Sequence, residues 1–467
     1  MAGNTHIKPV SSLDLFASPD QLDLELKSFL EEASLRLCKW LANAGHSGPL
    51  PTLTVMPEVA PNLEGLSRDV LLNDLQLVMD GSYQPSHPGS LAHLDPPPLT
   101  ASIVADLICA GLNNNLLAEE LSPSLSRLER LLCKWFADRL GLPTNSGGVA
   151  ASGGSLSNLM ALVVARHQSG LQNDQNAVIL ASEDAHVCFS KAIRVMGLGP
   201  DALQSVDTNE DGQISIQSIR SKLFEIREKG KKCFAIVATA GTTVRGAIDP
   251  LLELSNFCLE EDIWLHVDGA IGGIYALSKK TSSPLKGISL ANSITLNPQK
   301  ILGITKTSSL LLVANRSNLM ETFSTGLPYI EPAWGEEAHG GEIGLQGTRP
   351  GEVLKLWLGL RQLGESGIES LLTESIDRRL YLEKLLDMSR LKVISGPLHL
   401  ISCTSKYADK SQSAKWSFAT RKLLLKHQFM LSRPLHEGRY YLKTVLGNPH
   451  TKSKHLNKLA DLLNTSV

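Results

Sequence analysis

The sequence predicts an α/β protein with a mostly parallel central sheet, a small α/β domain towards its C-terminal end and a helical arm towards its N-terminal end. Three observations carry that reading. "CFAIVATAGTT" at 233–243 and "DIWLHVDGA" at 262–270 are apolar runs bounded by polar turns, as strands buried on both faces of a parallel sheet are. "AVILASEDAHVCFSKAIRVMG" at 177–197 reads as a strand, a polar turn and a helix, the repeating unit of such a sheet. The length of 467 residues is about three times the ~150-residue domain prior, ample for a large core and a smaller second domain. The expected division is an arm over 1–86, a large domain over 87–352 and a C-terminal domain over 353–467.

In chain order, "PDQLDLELKSFLEEASLRLCKWLANAG" at 19–45 has apolar positions at helical spacing, bracketed by Pro19 and Gly45. "HSGPLPTLTVMPEVAPN" follows as a proline-punctuated linker. "LDPPPLTASIVADLICAGLNNNL" joins a rigid triple-proline turn to a helix, and "SPSLSRLERLLCKWFADRLGL" is an amphipathic helix with Ser122 or Ser124 as cap and Gly141 as stop. "VDTNEDGQISIQS" carries Asp207, Asn209, Asp211 and Gly212 at the spacing of a calcium loop. The twelfth position is Ser218 rather than the bidentate Glu such a loop needs, so the segment reads as an Asp/Gly turn and no metal is expected. From Gly351 a long helical stretch leaves the large domain, and "RLKVISG", "LHLISCTS" and "GRYYLKTVLGN" are short strands alternating with helices.

Charge and cysteine usage narrow the function. The formal net charge is −2 and the pI about 6.7. With no basic block, neither nucleic acid nor an anionic membrane is an expected partner. Seven scattered cysteines without a CxxC argue against a disulfide framework or structural zinc and fit a cytoplasmic protein. No apolar run approaches a membrane span, and the first residues lack a basic stretch followed by a hydrophobic one, so no signal peptide is expected.

The chemistry sits at strand ends. Asp268 closes one buried run, and thirty-two residues further on Lys300 closes another, "SITLNPQK". An acid and an amine there could be a structural ion pair. Their company argues otherwise. Residues 152–158, "SGGSLSN", open the helical pattern "LMALVVARHQ", and glycines and hydroxyls at a helix start make a phosphate seat. His186 lies in the polar turn after the preceding strand. Alone, each is ordinary: a capped helix start, a surface histidine. Together they suggest pyridoxal phosphate, whose aldehyde a lysine amine can hold and whose ring nitrogen an acid can keep protonated.

At this point the sequence resembles the group II pyridoxal-phosphate-dependent amino-acid decarboxylases, which include the glutamate, cysteine sulfinate, 2,4-diaminobutyrate and aromatic amino-acid enzymes. The likeness runs from about Val70 to the end. It rests on an ordered set: "SHPGSLAHLDPPPLTASIVADL", "SGGSLSNLMAL", "TAGTTVRGAIDP", "DIWLHVDGA", "NPQK" and "YYLKTVLGNPHT". The resemblance implies a fold type I pyridoxal-phosphate enzyme, a homodimer whose N-terminal segment lies across its partner, and α-decarboxylation of an L-amino acid. It also implies site roles. Lys300 would hold the cofactor, Asp268 its ring nitrogen, and His186 and Ala270 its two faces, with Thr243 beside the ring. Ser155, Ser157, the backbone of Leu156, Asn297 and Gln299 would surround the phosphate. Tyr329 would sit on a mobile loop as proton donor, and His93 and Lys443 would line the substrate pocket.

Three positions depart from the family pattern. Gln299 replaces the histidine usual before the lysine, the loop after Tyr329 is shorter, and Lys443 stands where many members carry arginine, which gives up a bidentate carboxylate grip. His93 favours 2,4-diaminobutyrate, within a class of small polar or acidic substrates that includes aspartate and glutamate. An aromatic substrate, an aminotransferase, a carbon–sulfur lyase and a scaffold without cofactor remain open.

Overall fold

The computed structural model describes residues 15–52, 55–326 and 339–466, and contacts divide the chain into a first unit, residues 1–87, and a second, residues 88–467. In the first unit the helix Leu24–Ala42 is shorter than the predicted run because Asp23 starts it, its carboxylate accepting from the Leu26 N–H at 2.8 Å. It packs on the helix Arg68–Asp80, where Arg36 donates to the Leu72 carbonyl at 2.9 Å.

In the second unit, β1 (Gly147–Ala151), β2 (Ala177–Ser182), β3 (Leu203–Val206), β4 (Lys232–Thr239), β5 (Trp264–Gly269), β6 (Ser293–Leu296) and β7 (Ser309–Val313) form one sheet in the order β1-β7-β6-β5-β4-β2-β3. β7 alone is antiparallel to its neighbours, so the other six strands point the same way. The runs read as strands are buried along most of their length because helices cover both faces; every residue of β2, β6 and β7 is buried. One continuous core takes in β2, β4, β5 and the helix Gly154–Gln168.

The division expected at 352/353 falls at the start of the helix Val353–Leu385, which is broken at Gly364 (φ 61°). Beyond it β8 (Leu391–Ser395), β9 (Leu400–Ser405) and β12 (Leu442–Val445) form an antiparallel sheet in the order β12-β9-β8, and β10 (Leu435–His436) pairs with β11 (Arg439–Tyr440). Helices Lys410–Lys426 and Ser453–Thr465 close a second core around Leu382, Leu424, Leu442 and Leu459. The start of the second unit is stitched into this far end: Leu91 N–H donates to the Met430 carbonyl at 3.1 Å, Val445 N–H to the Leu91 carbonyl at 2.8 Å, and Thr451 Oγ1 to the Pro88 carbonyl at 2.7 Å.

Two local readings are refined. Ser122 does precede the helix Pro123–Arg139, but Pro123 occupies its first turn and the serine hydroxyl makes no cap bond. The Asp/Gly segment is a tight turn in which Asn209 Oδ1 accepts from the Asp211 and Gln213 N–H groups, at 3.0 and 2.9 Å. All seven cysteines are free thiols, and among the described residues no helix is long and apolar enough to cross a membrane.

Candidate active site

The ends of β4, β5 and β6, the opening of the helix Gly154–Gln168 and the turn after β2 meet around a cavity of about 250 Å³. Of the residues singled out in the sequence, Ser155, His186, Thr243, Asp268, Ala270, Asn297, Gln299 and Lys300 line it. Lys300 arrives on a single tight turn, Pro298–Lys300, directly after β6. Burial lowers its amine below the ordinary lysine range, against the opposing pull of Asp268, a shift towards the neutral, nucleophilic form.

Asp268 is 5% exposed, with Oδ2 accepting from Asn158 Nδ2 at 3.0 Å and Oδ1 from the Ala270 N–H at 3.1 Å. His186 accepts the Cys188 N–H at Nδ1, 3.2 Å, which leaves its proton on Nε2. Burial lowers its pKa, with Lys300 acting in the same direction and Asp268 opposing, so the imidazole is neutral near pH 7.

The glycine- and serine-rich turn at 152–158 opens the helix Gly154–Gln168 at the cavity. Gly153 adopts φ +114°, open only to glycine, and its carbonyl takes up the N–H groups of both Leu156 (3.1 Å) and Ser157 (3.2 Å). Leu156 packs against the core beside Val149 and Met160. Ser157 is wholly buried, and neither it nor Leu156 lines the cavity. Gly154 and Ser155 do. With its amide oriented to satisfy both ends, Asn297 accepts the Gly154 N–H at 3.3 Å and donates to the Leu296 carbonyl at 3.1 Å, tying the end of β6 to the helix start. A methyl on Gly154 would come within 3.0 Å of that amide. Gln299 Oε1 accepts from the Ser308 N–H, which orients its side chain.

His93 and Lys443 do not line this cavity, though the Lys443 amine feels the charge of Lys300 within it. Burial, with Lys300 adding to it, pushes the Lys443 amine down to about 8. Burial and Lys443 lower His93, while Asp95, ion-paired to Lys306 at 2.7 Å, pulls both the other way. Tyr329 lies outside the described residues. Sequence reasoning passed over Asn158, Asp184, Thr239, Gly241, Thr242 and Ile271, which also line the cavity. Asn158 stood in the quoted turn motif and Asp184 two residues before His186. Thr239 and Gly241 stood in the quoted strand end.

A buried carboxylate, a depressed lysine amine and a glycine-opened helix at the ends of parallel strands define a pyridoxal-phosphate enzyme of fold type I. The cavity fits that cofactor: Thr239 Oγ1 is buried at its wall without a hydrogen-bond partner in the protein, and the groups present are an amine, an acid and a helix N-terminus. Residues 49–398 match the pyridoxal-dependent decarboxylase conserved domain, and the chain belongs to that family. It is 34% identical over 325 residues to an aromatic-L-amino-acid decarboxylase of Bacillus atrophaeus, covering 69% of this chain and 68% of that one. It is 26% identical over 427 residues to an L-2,4-diaminobutyrate decarboxylase of Rhizobium meliloti (strain 1021), covering 90% and 85%. The crystal structure of Oryza sativa TDC with PLP and tryptamine superposes with a TM-score of 0.88 at 21% identity over 97% and 99% of the two chains, which shows the shared fold. The protein is a pyridoxal-phosphate-dependent amino-acid decarboxylase.

Proposed function

We propose that the protein decarboxylates a small acidic or polar L-amino acid, of the class of aspartate, glutamate or 2,4-diaminobutyrate, to its amine. Lys443 is the observation that carries this reading. Its side chain is half-buried, burial pushes its amine down to about 8, and among the described residues that amine has no hydrogen bond or ion pair. A partly desolvated amine beside a cavity is stabilised in its charged form by an anionic partner. A substrate carboxylate would supply the partner, with neutral His93 beside it as a hydrogen-bonding wall.

The bound cofactor supplies the electron sink for the carbon left when carbon dioxide departs. Within this reading Lys300 would hold the cofactor through its amine, and Asp268 would keep the ring nitrogen protonated. Gly154, Ser155, Asn297 and Gln299 seat the phosphate. His186 and Ala270 confine the ring, and Thr243 faces the substrate side. The helix Leu24–Ala42 buries none of its residues and exposes Leu24, Leu26, Leu30 and Leu35. Such a face favours a homodimer, which sedimentation of the purified protein tests.

The decisive experiment measures carbon dioxide release from the common L-amino acids plus 2,4-diaminobutyrate and cysteine sulfinate, with Lys300→Ala as control. Release from an acidic or small polar substrate, lost in the control, is expected. Release from aromatic amino acids alone would overturn the substrate reading in favour of the activity named for the Bacillus atrophaeus relative.

A further inference from the structure

From the cavity wall, where Asp268 and Asn158 stand, back into the core, five side chains form an unbroken line of hydrogen bonds. Trp264 Nε1 donates to Ser293 Oγ at 2.8 Å, and Ser293 Oγ lies 2.9 Å from His266 Nδ1. His266 Nε2 lies 3.0 Å from Asn158 Oδ1, and Asn158 Nδ2 donates to Asp268 Oδ2 at 3.0 Å. Ser293 and His266 are wholly buried and Asn158 is 2% exposed.

The direction of every proton follows from the chemistry of the groups. A carboxylate only accepts, so Asn158 turns its NH2 to Asp268 Oδ2 and its Oδ1 to His266 Nε2, which must donate. An indole N–H only donates, so Ser293 Oγ accepts from Trp264 and keeps its own proton for His266 Nδ1. Burial pushes His266 down to about 4, so the ring is neutral and carries one proton, which Nδ1 cannot hold while it accepts. That proton is on Nε2 and points at Asn158 Oδ1. The amide is thereby fixed with its NH2 towards Asp268. A proton on Asp268 Oδ2 would face an N–H donor, and Oδ1 already meets the Ala270 N–H.

We propose that Trp264, Ser293, His266 and Asn158 are a one-way positioning relay that presents Asp268 to the cofactor ring nitrogen as an aimed carboxylate. The proposal rests on the reading of Asp268 as the ring-nitrogen partner. None of the four touches the reacting atoms through this line; they act through Asp268. The relay also joins three elements, β5, β6 and the helix Gly154–Gln168, whose ends carry the acid, the lysine and the phosphate turn.

The test uses the holoenzyme with Asn158→Leu, which removes the donor to Asp268, and Trp264→Phe, which removes only the first N–H of the line and spares the buried interior. Asp268→Asn serves as reference, and thermal unfolding of each apoprotein separates loss of fold from loss of relay. The readouts are the rate at which the cofactor dissociates and the pH dependence of its visible absorption band. Loss of a hydrogen bond to a charged acceptor predicts cofactor retention about tenfold weaker in Asn158→Leu, with the band's titration shifted in the direction seen for Asp268→Asn. Trp264→Phe is expected to give a smaller shift of the same sign. If Asp268→Asn changes retention and spectrum while both relay variants match the parent, the relay is refuted and the role of Asp268 stands. If Asp268→Asn itself leaves both unchanged, the ring-nitrogen reading fails and the relay with it.

Discussion

Arg349 and Glu129 form an ion pair whose removal has a calculable cost. The guanidinium donates to the carboxylate through two bonds, 2.7 and 3.0 Å, and the two side chains are only 6% and 5% exposed. Arg349 also donates to the carbonyls of Ala150 in β1 and Gly340, both at 3.3 Å. Although burial disfavours its charge, Glu129 holds the guanidinium above its ordinary pKa. Arg349→Met keeps most of the volume but leaves a buried carboxylate facing no cation, a situation that costs about 3–5 kcal/mol. Glu129→Leu together with Arg349→Met removes both charges and should recover most of that loss, since an apolar pair of similar volume is often neutral. Urea unfolding followed by both fluorescence and circular dichroism measures the four corners of the cycle. Because Ala150 leads into the phosphate turn, the single variant should also release cofactor faster. A single variant within about 1 kcal/mol of the parent, or a double variant no more stable than the single, would refute the argument that an unpaired buried charge sets the cost.

Three further outcomes follow from the same structure. His266 and His399 are wholly buried, and burial holds them at about 4 and about 3, below the ordinary 6.5. The unfolded chain therefore takes up protons that the folded one refuses, so stability present above pH 6.5 should fall below it, by up to about 2.7 kcal/mol per pH unit; urea midpoints that stay flat from pH 7 to 5 would contradict this. Gly241 has φ +110°, and an added Cβ would lie 2.8 Å from Leu398 Cδ1 and 2.9 Å from Ile271 Cβ. Gly241→Ala should cost about 3 kcal/mol in thermal unfolding and weaken cofactor binding. Lys443→Gln should raise KM for an acidic substrate about tenfold, as loss of a charged contact does, with a smaller change in kcat; a fall in kcat alone would move Lys443 out of the binding role.

The strands that carry Asp268 and Lys300 were legible because buried parallel strands are uniformly apolar and their polar residues collect at the ends. Strand direction was not. β7, "SLLLV", is buried on both faces whether it runs with or against its neighbours, and only its pairing with β1 and β6 reveals the reversal. The glycine-rich helix start was recognised, but which of its residues face the cavity was not, since helix register depends on the backbone twist at Gly153, a dihedral that composition does not state. Asn158 was missed for a different reason. One amide on a mostly buried helix looks like any polar residue, and the histidine that orients it lies 108 positions away.

The bonds that tie residues 88–91 to residues 430–451 have a consequence for biosynthesis. Thr451 reaches back to Pro88 across 363 residues, and closing a flexible loop of that length costs about 5 kcal/mol of chain entropy. Such a closure cannot occur while the far segment is still being synthesised. The central sheet, complete by Val313, is therefore free to form on the ribosome first. His93 and Lys443, one on each side of the tie, come together only afterwards. The nascent chain would thus acquire its lysine and acid early and the wall that selects among amino acids last, so truncated chains should retain the means to hold a cofactor before they can discriminate what it acts on.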